Sequence, residues 1–261
     1  MKKKENIKIV VVLPAFNAYK TLKKTIDDIP EGFVDEIICV DDGSTDGTYD
    51  LAKDLNLIVY KHESNRGYGA NQKTCYDKAL ERGADIIVML HPDYQYDPKL
   101  VSYFVSYISD GYFDIMLGSR IRSRKEVTGN GMPLYKYLGN RFLTRFENFF
   151  TGLKLSEYHT GYRAYSRKVL ENINYHANSD DFIFDQEFLV QAVYFNYKIG
   201  EIPVPVRYFP DASSINFSRS VKYGLGTLSL ILKFFLKKIN MSGDKRFLKK
   251  NMKQKICSNN V

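Results

Sequence analysis

Short runs of branched apolar residues recur along the first half of the chain, each closed by a turn rich in Asp, Gly, Asn or Pro. Residues 7–13, 34–40, 57–60, 86–90 and 113–117 are dominated by apolar side chains, the pattern of strands buried on both faces of a sheet. Between them, residues 19–29, 49–55, a segment ending near Arg82, and 98–109 space their apolar residues as helices do. Strands alternating with helices imply right-handed crossovers, and so an α/β fold with a mostly parallel central sheet flanked by helices.

The second half changes character. Residues 120–131 carry Arg120, Arg122, Arg124 and Lys125 with two glycines and no apolar period, which predicts a loop. Residues 133–150 predict an aromatic-rich helix, 160–165 a strand and 182–195 a helix, and Pro203 and Pro205 mark 199–208 as a sheet edge. Residues 221–239 place Leu225, Leu228, Ile231, Leu232, Phe235 and Ile239 at helical spacing among lysines, an amphipathic helix for the protein body or a membrane surface.

Composition narrows this picture. The 261 residues are 44% hydrophobic, ample for a core, and carry a formal charge of +8. Residues 233–255 hold nine basic side chains and the single acid Asp244, so the rest of the chain is close to neutral. The basic character therefore belongs to a tail and suits an anionic membrane surface; no nucleic-acid partner is expected. Cys39, Cys75 and Cys257 are odd in number and widely spaced, as reduced thiols in the cytoplasm would be. Neither a signal peptide nor an apolar stretch long enough to span a bilayer is expected.

Polar chemistry gathers where the strands stop, the place ligands take in open α/β sheets. Asp41 and Asp42 end the second strand and can accept from a base N–H and a ribose hydroxyl, although Asp42-Gly43-Ser44-Thr45-Asp46-Gly47 also reads as a turn with Asp46 as a helix cap. Asn65-Arg66-Gly67-Tyr68-Gly69-Ala70-Asn71 resembles a phosphate cradle without being a recognised glycine motif. His91, Asp93 and Gln95 alternate along one segment; extended backbone would send all three to one side as divalent-cation ligands, while a capped turn explains the same residues. Arg120 stands at a strand end and can meet phosphate. Asp185 and Glu187 fall on different helix faces, one a candidate base and the other a surface charge. His62, His159 and His176 show no metal-ligand spacing and are expected to be structural or exposed.

Taken in order, Pro14-Ala15-Phe16-Asn17, Val40-Asp41-Asp42-Gly43-Ser44-Thr45-Asp46-Gly47-Thr48, Asn65-x-Gly67-x-Gly69-Ala70-Asn71, His91-Pro92-Asp93-Tyr94-Gln95 and Gly118-Ser119-Arg120 resemble the GT-A fold of inverting family-two glycosyltransferases, in particular their polyprenyl-phosphate mannose or glucose synthase-like branch. Thr160-Gly161-Tyr162-Arg163 and residues 200–208 extend the match. The resemblance implies one transferase domain over 1–220, with a nucleotide-binding half at 7–118 and an acceptor half at 119–220, followed by the amphipathic helix and basic tail at 221–261. It implies that Pro14, Ala15, Asn17, Asp41, Asp42, Asn65, Gly67, Asn71 and His91 bind a nucleoside-diphosphate sugar. Asp93 would hold a divalent cation, Mn or Mg, with Gln95 and His91 beside it. Arg120 and Arg163 would face phosphates, and Glu187 lies in the segment that supplies a base. Three positions depart from the family pattern: Phe16 replaces a tyrosine, Ala18 replaces a glutamate, and His91 replaces the first aspartate of Asp-X-Asp. The acceptor implied is a polyprenyl phosphate at the cytoplasmic membrane face, or else a sugar hydroxyl in polysaccharide assembly; a nucleotide-sugar binder without catalysis is the remaining reading.

Overall fold

The computed structural model describes residues 4–120, 134–205, 217–241 and 243–250. The expected loop arginine Arg122, with Arg124 and Lys125, lies outside the described residues, as do Cys257 and the tail beyond residue 250.

Seven strands form one sheet in the order β3-β2-β1-β4-β6-β5-β7. They are β1 (Ile9–Ala15), β2 (Glu36–Asp41), β3 (Ile58–Lys61), β4 (Ile86–Met89), β5 (Ile115–Ser119), β6 (Arg163–Ser166) and β7 (Ile199–Pro203). The first five strands are those expected, and β7 is the proline-marked edge. β1 runs two residues past its predicted end because Pro14 needs no donor there: pairing with β4 stops at Val12, and only β2 continues alongside. The remaining strand, β6, is antiparallel to both β4 and β5. Its first residue, Arg163, pairs with Met89 and Leu117, so the start of β6 lies at the edge where the parallel strands end.

Among the described residues eight α-helices surround the sheet: α1 (Tyr19–Asp27), α2 (Thr48–Asp54), α3 (Tyr68–Glu81), α4 (Val101–Ser109), α5 (Leu134–Thr151), α6 (Arg167–Asn172), α7 (Phe184–Tyr194) and α8 (Phe217–Lys238). Alternation along β1 separates two cores. Val10 and Val12 join Cys75 and Tyr76 of α3 and Phe184 and Phe188 of α7. Ile9, Val11 and Leu13 join Leu22 of α1 and Phe104 and Val105 of α4. Cys39 and Cys75 are free and buried, and burial pushes the Cys39 thiol up to about 12.

Helix α5 inverts the usual pattern by turning polar residues inward. Glu147 is fully buried, its Oε2 3.3 Å from His159 Nε2. Burial raises the Glu147 carboxyl well above its ordinary range, against the opposing pull of Arg163, and burial lowers His159 to about 3. Burial thus disfavours the charged form of both groups, so the contact gains little as an ion pair. A carboxyl with a raised folded-state pKa costs nothing below its ordinary value of 4.5 and progressively more above it. Glu147→Gln should therefore melt higher than the native chain at pH 8, with the difference shrinking towards pH 4; calorimetry across that range checks it.

Candidate active site

The ends of β1, β2, β3, β4 and β5 and the start of β6 lie along one edge of the sheet, and the N-termini of α3 and α7 close over it. Asp41 and Asp42, adjacent in sequence, do different work there. Asp42 accepts the backbone N–H of Arg66 at 3.0 Å and of Gly67 at 3.1 Å, and pairs with His62 Nδ1 at 2.6 Å. Its carboxylate is spent on folding the loop between β3 and α3. Asp41 accepts only the Ser44 N–H, at 3.2 Å on Oδ2; its Oδ1 is buried and has no hydrogen-bond partner among the described residues. A buried carboxylate oxygen left unmatched is costly unless something donates to it, and a nucleotide base N–H or ribose hydroxyl is such a donor.

The loop glycines are forced. Gly67 has φ +100° and a Cβ there would stand 2.7 Å from Asp180 O; at Gly69 it would stand 2.4 Å from Ser179 O. At Gly43, with φ +75°, a Cβ would stand 2.9 Å from the backbone N of Asn65, a residue whose side chain is exposed at the rim. Asn71 was expected to line the nucleotide, but it is buried and its amide donates to Val40 O at 3.0 Å, tying α3 to the end of β2. Asn17, in left-handed conformation (φ 50°), accepts Thr45 N–H at 3.0 Å and so joins the β1 and β2 loops beside buried Pro14 and Ala15.

The segment after β4 is not extended. Tyr94 has φ 57°, which turns the chain between Asp93 and Gln95, and Asp93 Oδ1 accepts Gln95 N–H at 3.0 Å. The expected one-sided projection of His91, Asp93 and Gln95 is corrected accordingly. His91 packs instead on Tyr68, with ring centroids 5.4 Å apart, and its Nε2 lies 3.1 Å from the Tyr68 hydroxyl. That hydroxyl donates to Asp185 Oδ2 at 2.7 Å, so Nε2 is assigned the hydrogen, and in the neutral ring Nδ1 keeps its lone pair. Gly161 admits the ring, since a Cβ there would come within 2.7 Å of Nε2. Among the described residues no three His, Cys, Asp or Glu side chains cluster as a metal cage. Asp93, half-buried in its turn, fits a cation held by one carboxylate and by a ligand's phosphates, and the His91 Nδ1 lone pair is a second donor chemistry available in the same loop.

Arg120 is anchored at the end of β5. Its backbone N–H donates to Glu157 Oε2 at 2.7 Å, its Nε to Glu157 Oε1 at 2.9 Å and its Nη2 to His159 O at 2.5 Å. Burial pushes the Glu157 carboxyl up, but the Arg120 guanidinium more than offsets this and holds it below the ordinary range. Arg163, expected to face phosphates, is completely buried and gives its guanidinium to Thr160 O (2.7 Å), Asp185 O (2.9 Å) and Tyr158 O (3.0 Å). Glu187 is likewise corrected. It is buried, accepts Ser179 N–H at 2.6 Å and pairs with Arg246, while Asp185 is the carboxylate next to His91 and Tyr68; neither is a surface charge. Tyr68, Glu157 and Gln72, whose amide donates to Asp185 at 3.2 Å, were not singled out from sequence. Tyr68 stood between two required glycines, whereas Glu157 belongs to no motif.

The sequence model of the family described as "Glycosyl transferase family 2" matches residues 10–173, more than half of the chain. The chain belongs to that family. A UDP-N-acetylglucosamine–dolichyl-phosphate N-acetylglucosaminyltransferase of Methanococcus voltae is 30% identical over 77% of this chain and 86% of its own length. A dolichyl-phosphate hexose transferase of Haloferax volcanii is 30% identical over 76% and 82%. The solved glucosyl-3-phosphoglycerate synthase of Mycobacterium tuberculosis, in complex with Mn2+, UDP and glucosyl-3-phosphoglycerate, superposes with a TM-score of 0.65 at 20% identity, covering 88% of this chain and 80% of that one. The fold is the GT-A fold, as the resemblance implied, and the transferase is a glycosyltransferase of family 2.

The division between the two aspartates is testable. Asp41→Asn should weaken nucleoside-diphosphate binding about tenfold to a hundredfold, the worth of one hydrogen bond to a charged group, with an unchanged melting temperature. Asp42→Ala should instead destabilise the fold by about 3 kcal/mol, because it strands buried donors. Titration calorimetry and thermal melts of both variants separate these outcomes.

Proposed function

We propose that this glycosyltransferase moves a sugar, with inversion, from a nucleoside-diphosphate sugar to a polyprenyl phosphate at the cytoplasmic face of a membrane. The observation that favours a phosphate acceptor is that both candidate bases are engaged: Glu187 by Ser179 and Arg246, Asp185 by Tyr68 and Gln72. A sugar hydroxyl needs a carboxylate free to take its proton, whereas a phosphate arrives as an anion. The named relatives act on dolichyl phosphate, which agrees.

In this reading Asp41 and the backbone of the Asn65–Gly67 turn orient the nucleoside. Asp93 holds a divalent cation, Mn or Mg, which supplies charge neutralisation for the departing diphosphate. Arg120, fixed in direction by Glu157, adds a preorganised positive charge on the same group. Arg163 and Tyr68 shape the floor opposite, where the acceptor approaches. No helix among the described residues is long and apolar enough to cross a membrane; in this reading the amphipathic α8 and the basic residues after it contribute contact with the membrane that holds the lipid acceptor.

Manganese-dependent release of nucleoside diphosphate, scanned over sugar donors with a polyprenyl phosphate present, is the test. Release should stop on chelation and fall at least about a hundredfold in Asp93→Ala, the scale of losing electrostatic stabilisation of a leaving group. Asp185→Asn and Glu187→Gln should stay within about tenfold of the native rate. A loss in either approaching the 10²–10⁴-fold worth of a general base would turn the reading to a hydroxyl acceptor. No release with any donor would leave a binding protein.

A further inference from the structure

Helices α5 and α8 turn an apolar face to solvent. On α5 the buried positions are Asn140, Leu143, Thr144, Glu147 and Thr151, while Leu134, Leu138, Phe142 and Phe149 are exposed, the last by 82%. At 3.6 residues per turn those four apolar residues share a stripe about 80° wide. On α8, Leu230, Ile231 and Phe234 pack inward, and Val221, Leu225, Leu232 and Phe235 make a second exposed stripe that Ile239 continues. The stripes are joined by rings: Phe142, Phe146, Phe150 and Phe235 follow one another with centroid separations of 6.4, 4.8 and 5.8 Å. An exposed apolar surface of this extent marks an interaction site.

Charge selects the occupant. Arg141 and Arg145 stand at the edge of and within the stripe on α5, and Lys222 and Lys233 lie to one side of that on α8; the one acid on either helix, Glu147, is buried on the inner face. A second copy of the chain would bring like charge against like, whereas anionic lipid headgroups complement it. We infer that α5 and α8 form a single docking face lying in the surface of an anionic bilayer, with α5 carrying it as much as the C-terminal helix does. This deepens the membrane reading above and rests on it for the partner. Seating α5 also bears on the site, because Asn140 Nδ2 and Arg120 Nε donate to the same oxygen, Glu157 Oε1, at 3.0 and 2.9 Å. The outer stripe meets lipid while the inner face steadies the carboxylate that aims Arg120.

Sedimentation of the full chain with phosphatidylglycerol–phosphatidylcholine vesicles, without donor or acceptor, tests the inference separately from catalysis. Leu138→Ser with Phe142→Ser, and independently Phe149→Ser, should each cut vesicle binding about tenfold or more while melting as the native chain does, since these side chains are exposed. Pure phosphatidylcholine vesicles should bind more weakly. Native-like binding by both α5 variants would overturn the inference, because α8 and the tail would then suffice. It would also fall if the native chain ignores vesicles and forms a dimer in the ultracentrifuge that the same substitutions dissolve. Vesicle binding without sugar transfer would uphold the docking face and count only against the proposed reaction.

Discussion

The Arg163 guanidinium, completely buried where β6 begins, joins the two halves of this molecule's site. Burial pulls against its charge, and the Asp185 carboxylate 4.0 Å away leads the groups that more than compensate, so it stays protonated. Its three carbonyl partners belong to the 158–160 loop and to the first turn of α7. That places Gly161 beneath His91 and Asp185 beside Tyr68, which brings residues from the second half of the chain up against the loops of the first. An antiparallel strand inserted between parallel ones is what makes this possible, because its beginning shares an edge with its neighbours' ends.

Around that junction the charged groups divide into those that build and those left to bind. Asp42, Glu157, Glu187 and Arg163 are saturated by backbone or by opposite charge, which is how buried ionised groups are tolerated. Asp41 keeps an unmatched oxygen, and Asp93 sits half-buried in a turn made by a left-handed tyrosine. Non-glycine residues held at positive φ recur at functional sites, where the surrounding structure maintains them. Hydrogen bonding thus fixes the groups that build the loops and leaves Asp41 Oδ1 open to a donor.

Much of this was legible in the sequence because parallel strands buried on both faces announce themselves as apolar runs, and the chemistry follows where each run ends. Asp41, Asp93 and Arg120 are singled out that way. The errors share a cause: motif position does not reveal which way a side chain's hydrogen bonds run. Asn71 and Arg163 match binding motifs yet spend their donors on carbonyls inside the protein. The direction of β6 was not readable either, since four residues carry no signal for their partner's orientation. Nor was Glu157, whose importance depends on a contact 37 positions away. The inward polar face of α5 could be seen in the sequence only by asking which side of an amphipathic helix meets the protein.

The central claim is that an anionic phosphate oxygen attacks the sugar while cation and arginine stabilise the departing diphosphate, with no protein base in the step. The most direct measurement is the structure of the product. With an α-linked nucleoside-diphosphate sugar and a polyprenyl phosphate, nuclear magnetic resonance should show a β-linked glycosyl phosphate whose anomeric carbon couples to phosphorus. An α-linked product, or a sugar joined through a hydroxyl oxygen without that coupling, would contradict the account.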